Sequence, residues 1–268
     1  MTDQRSHDLA DAIVADQYEA YPYPARDARD EAKRLVVGSP SHLAEIDHWV
    51  FGARRDPDQP LNALIAGGGT GDACVMLAAQ LAHAGRAGQV TYLDRSAAAS
   101  AIARRRVEAR GLTNVAFVQG SLLDLPALGL GPFDYIDCCG VLHHLPDPAA
   151  GLRALVSVLA PGGGLGLMVY APHGRTGVYM AQDALRHLAP AETPLAERIE
   201  TARRFLRSLH PEHWLARNAR LNDHIAGGDA GISPLAVADL DLHPVHAGAA
   251  HRFSGAGRRA GDVTAVLE

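Results

Sequence analysis

The stretch "LNALIAGGGTGDACVML", residues 61–77, constrains the chain more than any other. An apolar run of strand length ends in four glycines within five residues, and a second run follows with its apolar positions three and four apart. A short apolar run bounded by glycine suits the middle of a parallel sheet, and the 3.6-residue spacing suits a helix packed on it. The alternation continues to residue 170. "QVTYLDRS" predicts a second strand, "AAASAIARRRVEARG" a second helix stopping at Gly111, and "VAFVQG" a third strand. "PFDYIDCCGVLHH" supplies a fourth, "PAAGLRALVSVLAPGG" a helix with a glycine stop, and "GLGLMVYA" a fifth. Strands alternating with helices imply right-handed crossovers, so the expected fold is α/β, a doubly wound Rossmann-like parallel sheet.

The flanks differ from that core. Residues 1–60 read as a helical, proline-punctuated arm, residues 61–171 as the core, and residues 172–232 as a helical cap inserted after the fifth strand. Residues 233–268 read as an irregular tail in which "DVTAVLE" alone has strand character. With 24 arginines and one lysine, Lys33, the composition is that of a GC-rich gene, and the tail is what a shifted reading frame of such a gene gives.

Composition excludes several classes of function. No apolar segment approaches the roughly 20 residues of a membrane helix, and the N-terminus lacks the apolar block of a secretory signal, so a cytoplasmic protein without a membrane partner is expected. A net charge of -5 without a long basic block argues against a nucleic-acid partner, whose binding needs phosphate neutralisation. Cys74, Cys138 and Cys139 lie in apolar segments without zinc-site spacing, so no metal is expected. Oligomeric state leaves no mark on the sequence.

A glycine turn between strand and helix brings backbone close to a ligand, and three ligand classes use it. A triphosphate loop needs Lys and then Ser or Thr after the last glycine, where this chain has Asp72 and Ala73. A dinucleotide loop beginning with Gly67 and Gly69 needs a small residue at the sixth place, which is Asp72. Gly67, Gly69 and Gly71 instead fall at places one, three and five, which leaves Gly68 unexplained. Asp72 opens the helix, where its charge suits the helix dipole.

This spacing is followed in order by "VTYLDRS", "FVQGSLLDLP" and "FDYIDCCGVLHHLPDPAAGLRALVSVLAPGGGLGLMVY". Together, over residues 60–170, they resemble the class I S-adenosylmethionine (SAM)-dependent methyltransferases. The N-terminal "YEAYPYP" resembles an element of a bacterial subgroup of them. The resemblance implies SAM as cofactor, with Gly67, Gly68, Gly69, Gly71, Cys139 and Gly140 around its methionine end. It implies Asp94, followed by Arg95, at the ribose, and Ser121 and Leu122 beside the adenine. Two departures remove carboxylates: the first strand ends in Ile65–Ala66 where the family usually carries an acid, and Ser121 stands where an Asp usually follows the glycine.

Methyl transfer is an in-line displacement, favoured by holding acceptor and methyl group together and excluding water. A base is needed only if the acceptor must lose a proton. His143 and His144, past the fourth strand, are the candidates, with loop shaping as their other reading. Tyr18, Tyr21 and Tyr23 suit a lid that meets the sulfonium through ring faces, or simple packing of the arm. His173, Arg175 and Tyr179 follow the fifth strand, and Arg175 suits either an anionic acceptor or a capping role. The expected activity is methyl transfer to an oxygen or nitrogen of a small molecule or peptide. The other function kept open is a SAM- or S-adenosylhomocysteine (SAH)-binding regulatory protein without turnover.

Overall fold

A computed structural model describes residues 15–16, 18–171, 173–190, 192–217 and 265–267. The first strand, β1 (Leu61–Ala66), turns through the glycines into α1 (Asp72–His83), and β2 (Gly88–Asp94) leads to α2 (Ala97–Ala109). β3 (Val115–Gln119) and β4 (Phe133–Cys139) follow, then α3 (Pro148–Ser157) and β5 (Leu159–Met168). The order across the sheet is β3-β2-β1-β4-β5-β6, every pair parallel, with β6 (Ala265–Leu267) beside β5. This is the doubly wound α/β arrangement expected from the sequence.

Local chemistry accounts for most helix ends. Gly85 and Gly111 adopt positive φ, and the residues after them, Arg86 and Leu112, donate back to Leu81 and Val107 at 3.0 and 3.1 Å, the glycine-terminated closure of a helix. Ser96 caps α2 through Ala99 N–H at 3.0 Å, and Asp147 caps α3 through Ala149 and Ala150, with Pro148 at the first helical place. One expected boundary is wrong. α3 has no glycine stop: it ends at Val158 and the chain enters β5 at Leu159, so the glycines of "APGGG" lie in the strand, beside a register shift against β4.

Two cores cover the sheet. Ala63, Ile65, Tyr92 and Tyr135 pack with α1, α2 and Ile46 of the arm, while Leu64, Ala66, Ile136 and Cys138 pack with α3 and Leu142. Successive side chains of each strand thus serve opposite faces. The chain steps outward from β1 through β2 to β3 and then crosses back to β4 on the other side of β1, opening a crevice at the carboxyl ends of β1 and β4, the usual ligand position in such sheets.

The chain divides into two compact units, one holding residues up to 169 with the C-terminal strand, the other beginning at Tyr170. The second holds α4 (Thr176–Leu188) and α5 (Leu195–Ser208). Leu215 is buried there, and Gly177 lies so close to it that a Cβ would meet its backbone N at 2.5 Å. The readings for residues 1–14 and 218–264 fall outside the described residues. Among the described residues no helix is long and apolar enough to cross a membrane.

Candidate functional site

The glycine turn sits at the mouth of the crevice, and packing requires its glycines. A Cβ on Gly67 would meet Val141 Cγ2 at 2.4 Å, one on Gly69 the Tyr23 carbonyl at 2.7 Å, and one on Gly71 Ala103 Cβ at 2.9 Å. All three have positive φ, which side chains disfavour. Gly68, unexplained by spacing, has the same kind of cause: a Cβ there would meet the Tyr92 ring at 2.4 Å. Tyr92 is fully buried beneath the turn and donates its hydroxyl to Gly69 O at 2.6 Å.

Every amide of the turn is spent inside the protein. Gly67 and Gly68 donate to Leu93 O at 2.8 and 3.2 Å, Thr70 to Tyr23 O at 3.2 Å, and Gly71 to Gly68 O at 2.9 Å. Gly69 donates to Asp94 Oδ2 at 2.7 Å. A phosphate-binding turn must aim such amides at the ligand, so this one is not an anion cradle. Acceptor capacity remains instead, at Asp94 and at the Gly67 carbonyl. Asp94 takes the Gly69 amide on Oδ2 and the Ser96 amide on Oδ1 at 2.8 Å, with the Arg95 amide also against it, and the lone pairs of its two oxygens leave room for a further donor. Burial raises its pKa, opposed by the N–H groups of Ser96, Gly69 and Arg95. The carbonyls of Gly68, Gly69 and Thr70 accept from Gly71 N, Tyr92 Oη and Arg106 Nη1, and none of these bonds goes to the Gly67 carbonyl.

The arm closes one side of the turn. Tyr18 Oη lies 3.1 Å from His144 Nε2, and the rings meet edge-on at 5.8 Å. Glu19 accepts from Ser96 Oγ at 2.8 Å and from Ala98 N–H, placing its carboxylate on the N-terminus of α2. These bonds hold its pKa below the usual range. Pro24 O accepts from Thr70 Oγ1 at 2.6 Å. Tyr23 therefore reaches the turn by its backbone, while Tyr21 is half-buried in the bend between.

Behind the turn lies a charge network that sequence reasoning missed. Arg106 of α2, its side chain 1% exposed, reaches Glu31 at 2.6 Å, Asp72 at 2.7 Å and the Thr70 carbonyl at 2.8 Å. Arg26 grips Asp72 with two nitrogens, at 2.8 and 2.6 Å, and Arg110 also pairs with Glu31. Asp72 thus joins arm, turn and α2, in addition to opening α1. Burial opposes its charge, but Arg26 and Arg106 bring its pKa below the usual range.

The remaining predicted residues divide by place. His143 is buried and His144 half-buried on the turn 142–144 after β4, ring centres 4.1 Å apart. Cys139 and Gly140 stand at the β4 edge. Arg95 is exposed just after Asp94. Ser121 caps the short helix 122–127 through Leu123 N–H at 3.2 Å, and Leu122 is buried in the α3-side core. In the second unit, Arg175 lies 3.6 Å over the Tyr170 ring, His173 is exposed and accepts from Thr176 through its carbonyl, and burial raises the Tyr179 pKa.

Residues 64–165 match the family model described as a methyltransferase domain. An uncharacterised Synechococcus protein is 36% identical over 185 residues, covering 66% of this chain and 41% of that one. The tRNA 5-carboxymethoxyuridine methyltransferase of Escherichia coli K12 is 37% identical over 117 residues, covering 43% and 42%. The chain thus spans about two-fifths of the length of these curated relatives. Among solved structures, PKMT2 of Rickettsia typhi in complex with AdoHcy aligns with a TM-score of 0.44 at 20% identity, covering 60% of this chain and 30% of that one.

Proposed function

We propose that this chain, whose residues 64–165 match a methyltransferase domain, is a class I SAM-dependent methyltransferase that transfers a methyl group to an oxygen or nitrogen of a small molecule or peptide. The observation that carries this reading is a glycine turn that keeps no amide for a ligand and stands beside the Asp94 carboxylate. With its amides committed internally, the crevice suits a ligand that presents donors, an ammonium and a ribose diol, better than one that presents a pyrophosphate. Asp94 is the partner for the two ribose hydroxyls, in charge-assisted hydrogen bonds. The Gly67 carbonyl and the β4 edge at Cys139 and Gly140 meet the methionine end.

When bound, SAM supplies an electrophilic methyl group on a sulfonium. The chain's own contribution is to hold the acceptor in line with it and to keep water out. The arm serves the second task, tied at Tyr18 to His144 and at Glu19 to α2. His144 is the base for an acceptor that must lose a proton, with Tyr18 fixing its ring and His143 packed behind.

Binding of SAM, SAH and NAD measured side by side tests the cofactor. SAM and SAH should bind, with NAD at least about a hundredfold weaker, since no amide of the glycine turn is left for its pyrophosphate; NAD binding as tightly as SAM overturns the reading. Methyl-labelled SAM incubated with a cell extract and then fractionated tests the acceptor. Label is expected in small molecules or peptides. Label confined to RNA, the acceptor class named for the E. coli relative, overturns that part, and SAM binding without any transfer leaves a regulatory binding protein.

A further inference from the structure

The two buried acids of the described residues are treated differently. Glu31 is held by Arg106 and Arg110. Asp137 of β4, 3% exposed, lies in no ion pair among the described residues. Its partners are Ser41 Oγ, which donates at 2.5 Å, and Cys139, through Sγ at 3.6 Å and through its backbone N–H. Neither brings a positive charge, and a carboxylate inside a sheet without one is costly. Evolution of a core for stability alone has no use for such a group where an apolar residue would pack.

Its position supplies the use. In the β1–β4 register Asp137 stands beside Ile65. Paired residues of neighbouring strands, ~4.8 Å apart, project to the same face. Ile65–Ala66 is the strand end at which the resembled family usually carries an acid, and Gly67 follows directly. The carboxyl missing from β1 therefore has a counterpart one strand over, on the same face, with Cys139 between it and the carboxyl edge.

We infer that Asp137 supplies, from β4, the negative charge that answers the α-ammonium of SAM, in place of an acid on β1. This rests on the SAM reading of the site. The competing role is purely structural, an anchor for the arm through Ser41.

Asp137→Asn separates the two, because the amide oxygen still accepts from Ser41 while the charge is gone. Two ligands are compared by calorimetry: SAH, and its deaminated analogue with a butanoate in place of the amino acid end. The variant should lose about tenfold in SAH affinity, or about 1.4 kcal/mol, and less than about twofold for the analogue, the pattern of a double-mutant cycle in which one partner is the ligand. Its melting temperature should hold or rise, since burial already disfavours the charge. Ser41→Ala should do the reverse, lowering the melting temperature while preserving the preference for SAH. A variant that melts lower and weakens both ligands alike, or neither, overturns the assignment in favour of the anchor. Should Asn prevent folding, Asp137→Ser with the same ligands gives the same discrimination. Wild-type protein that binds neither ligand refutes the SAM reading itself, whereas wild-type binding matched by the variant refutes only Asp137.

Discussion

Arg106→Met removes the centre of the network behind the glycine turn. The guanidinium has three partners, Glu31, Asp72 and the Thr70 carbonyl, all within 2.8 Å. Breaking a buried ion pair from one side costs ~3–5 kcal/mol, because the other charge stays buried. Here each acid keeps a second arginine, Glu31 with Arg110 and Asp72 with Arg26, and Asp72 retains some solvent. The expected loss is thus at the low end, about 3 kcal/mol. For a domain of this size that lowers the melting temperature by about 6–12 °C. Urea denaturation with the slope held common to variant and wild type measures it. The double variant Arg106→Met with Glu31→Met should lose less than the sum of the single changes, because the stranded charge is gone. A single-variant loss under about 1 kcal/mol, or strict additivity of the two changes, refutes the claim that this network fastens the arm.

Three further outcomes are expected. Gly68→Ala should destabilise by ~1–3 kcal/mol, as overpacking does, since its Cβ would stand 2.4 Å from the buried Tyr92 ring; an unchanged urea midpoint would contradict the packing account of this glycine. Tyr18→Phe removes one hydrogen bond of ~0.5–1.5 kcal/mol to His144, so hydrogen exchange around residues 18–24 should quicken while global unfolding barely moves, and unaltered exchange would detach the arm from that contact. Asp72 has a depressed pKa, so its stabilising contribution is present above the unfolded value near ~4 and is lost as pH falls through the lower folded value. Asp72→Asn should therefore cost more at pH 7 than in acid, and parallel stability curves for the two proteins would exclude that linkage.

The fold was legible because each strand and helix declares itself locally. Apolar runs of strand length, 3.6-residue spacing and the stops at Gly85 and Gly111 need no knowledge of distant residues. The α3 boundary failed for the same reason in reverse: the glycines in "APGGG" look like a stop, yet Gly163 lies so close to β4 that a Cβ would meet Asp134 O at 2.8 Å. Within the candidate site, the turn was marked by its glycine spacing and Asp94 by the family resemblance. Arg26, Glu31, Arg106 and Asp137 were not, since their roles depend on partners 34 to 96 residues away and on burial that composition does not reveal. Of the four arginines in "ARRRVEAR", Arg104 and Arg105 are exposed, Arg110 is half-buried and Arg106 is buried, and nothing in the string sets Arg106 apart.

The arm's attachments also bear on how the protein is made. Residues 18–41 are translated before the residues that hold them, which include Thr70, Asp72, Ser96, Arg106, Asp137 and His144, the last 126 positions later. Contacts that close such long loops form late. While the sheet is being synthesised the nascent chain therefore carries a detached, aromatic arm whose docking surface is incomplete. Only when β4 and the histidine turn have emerged can the arm settle over the glycine turn, so the last piece of the site to be assembled is translated before the rest of it.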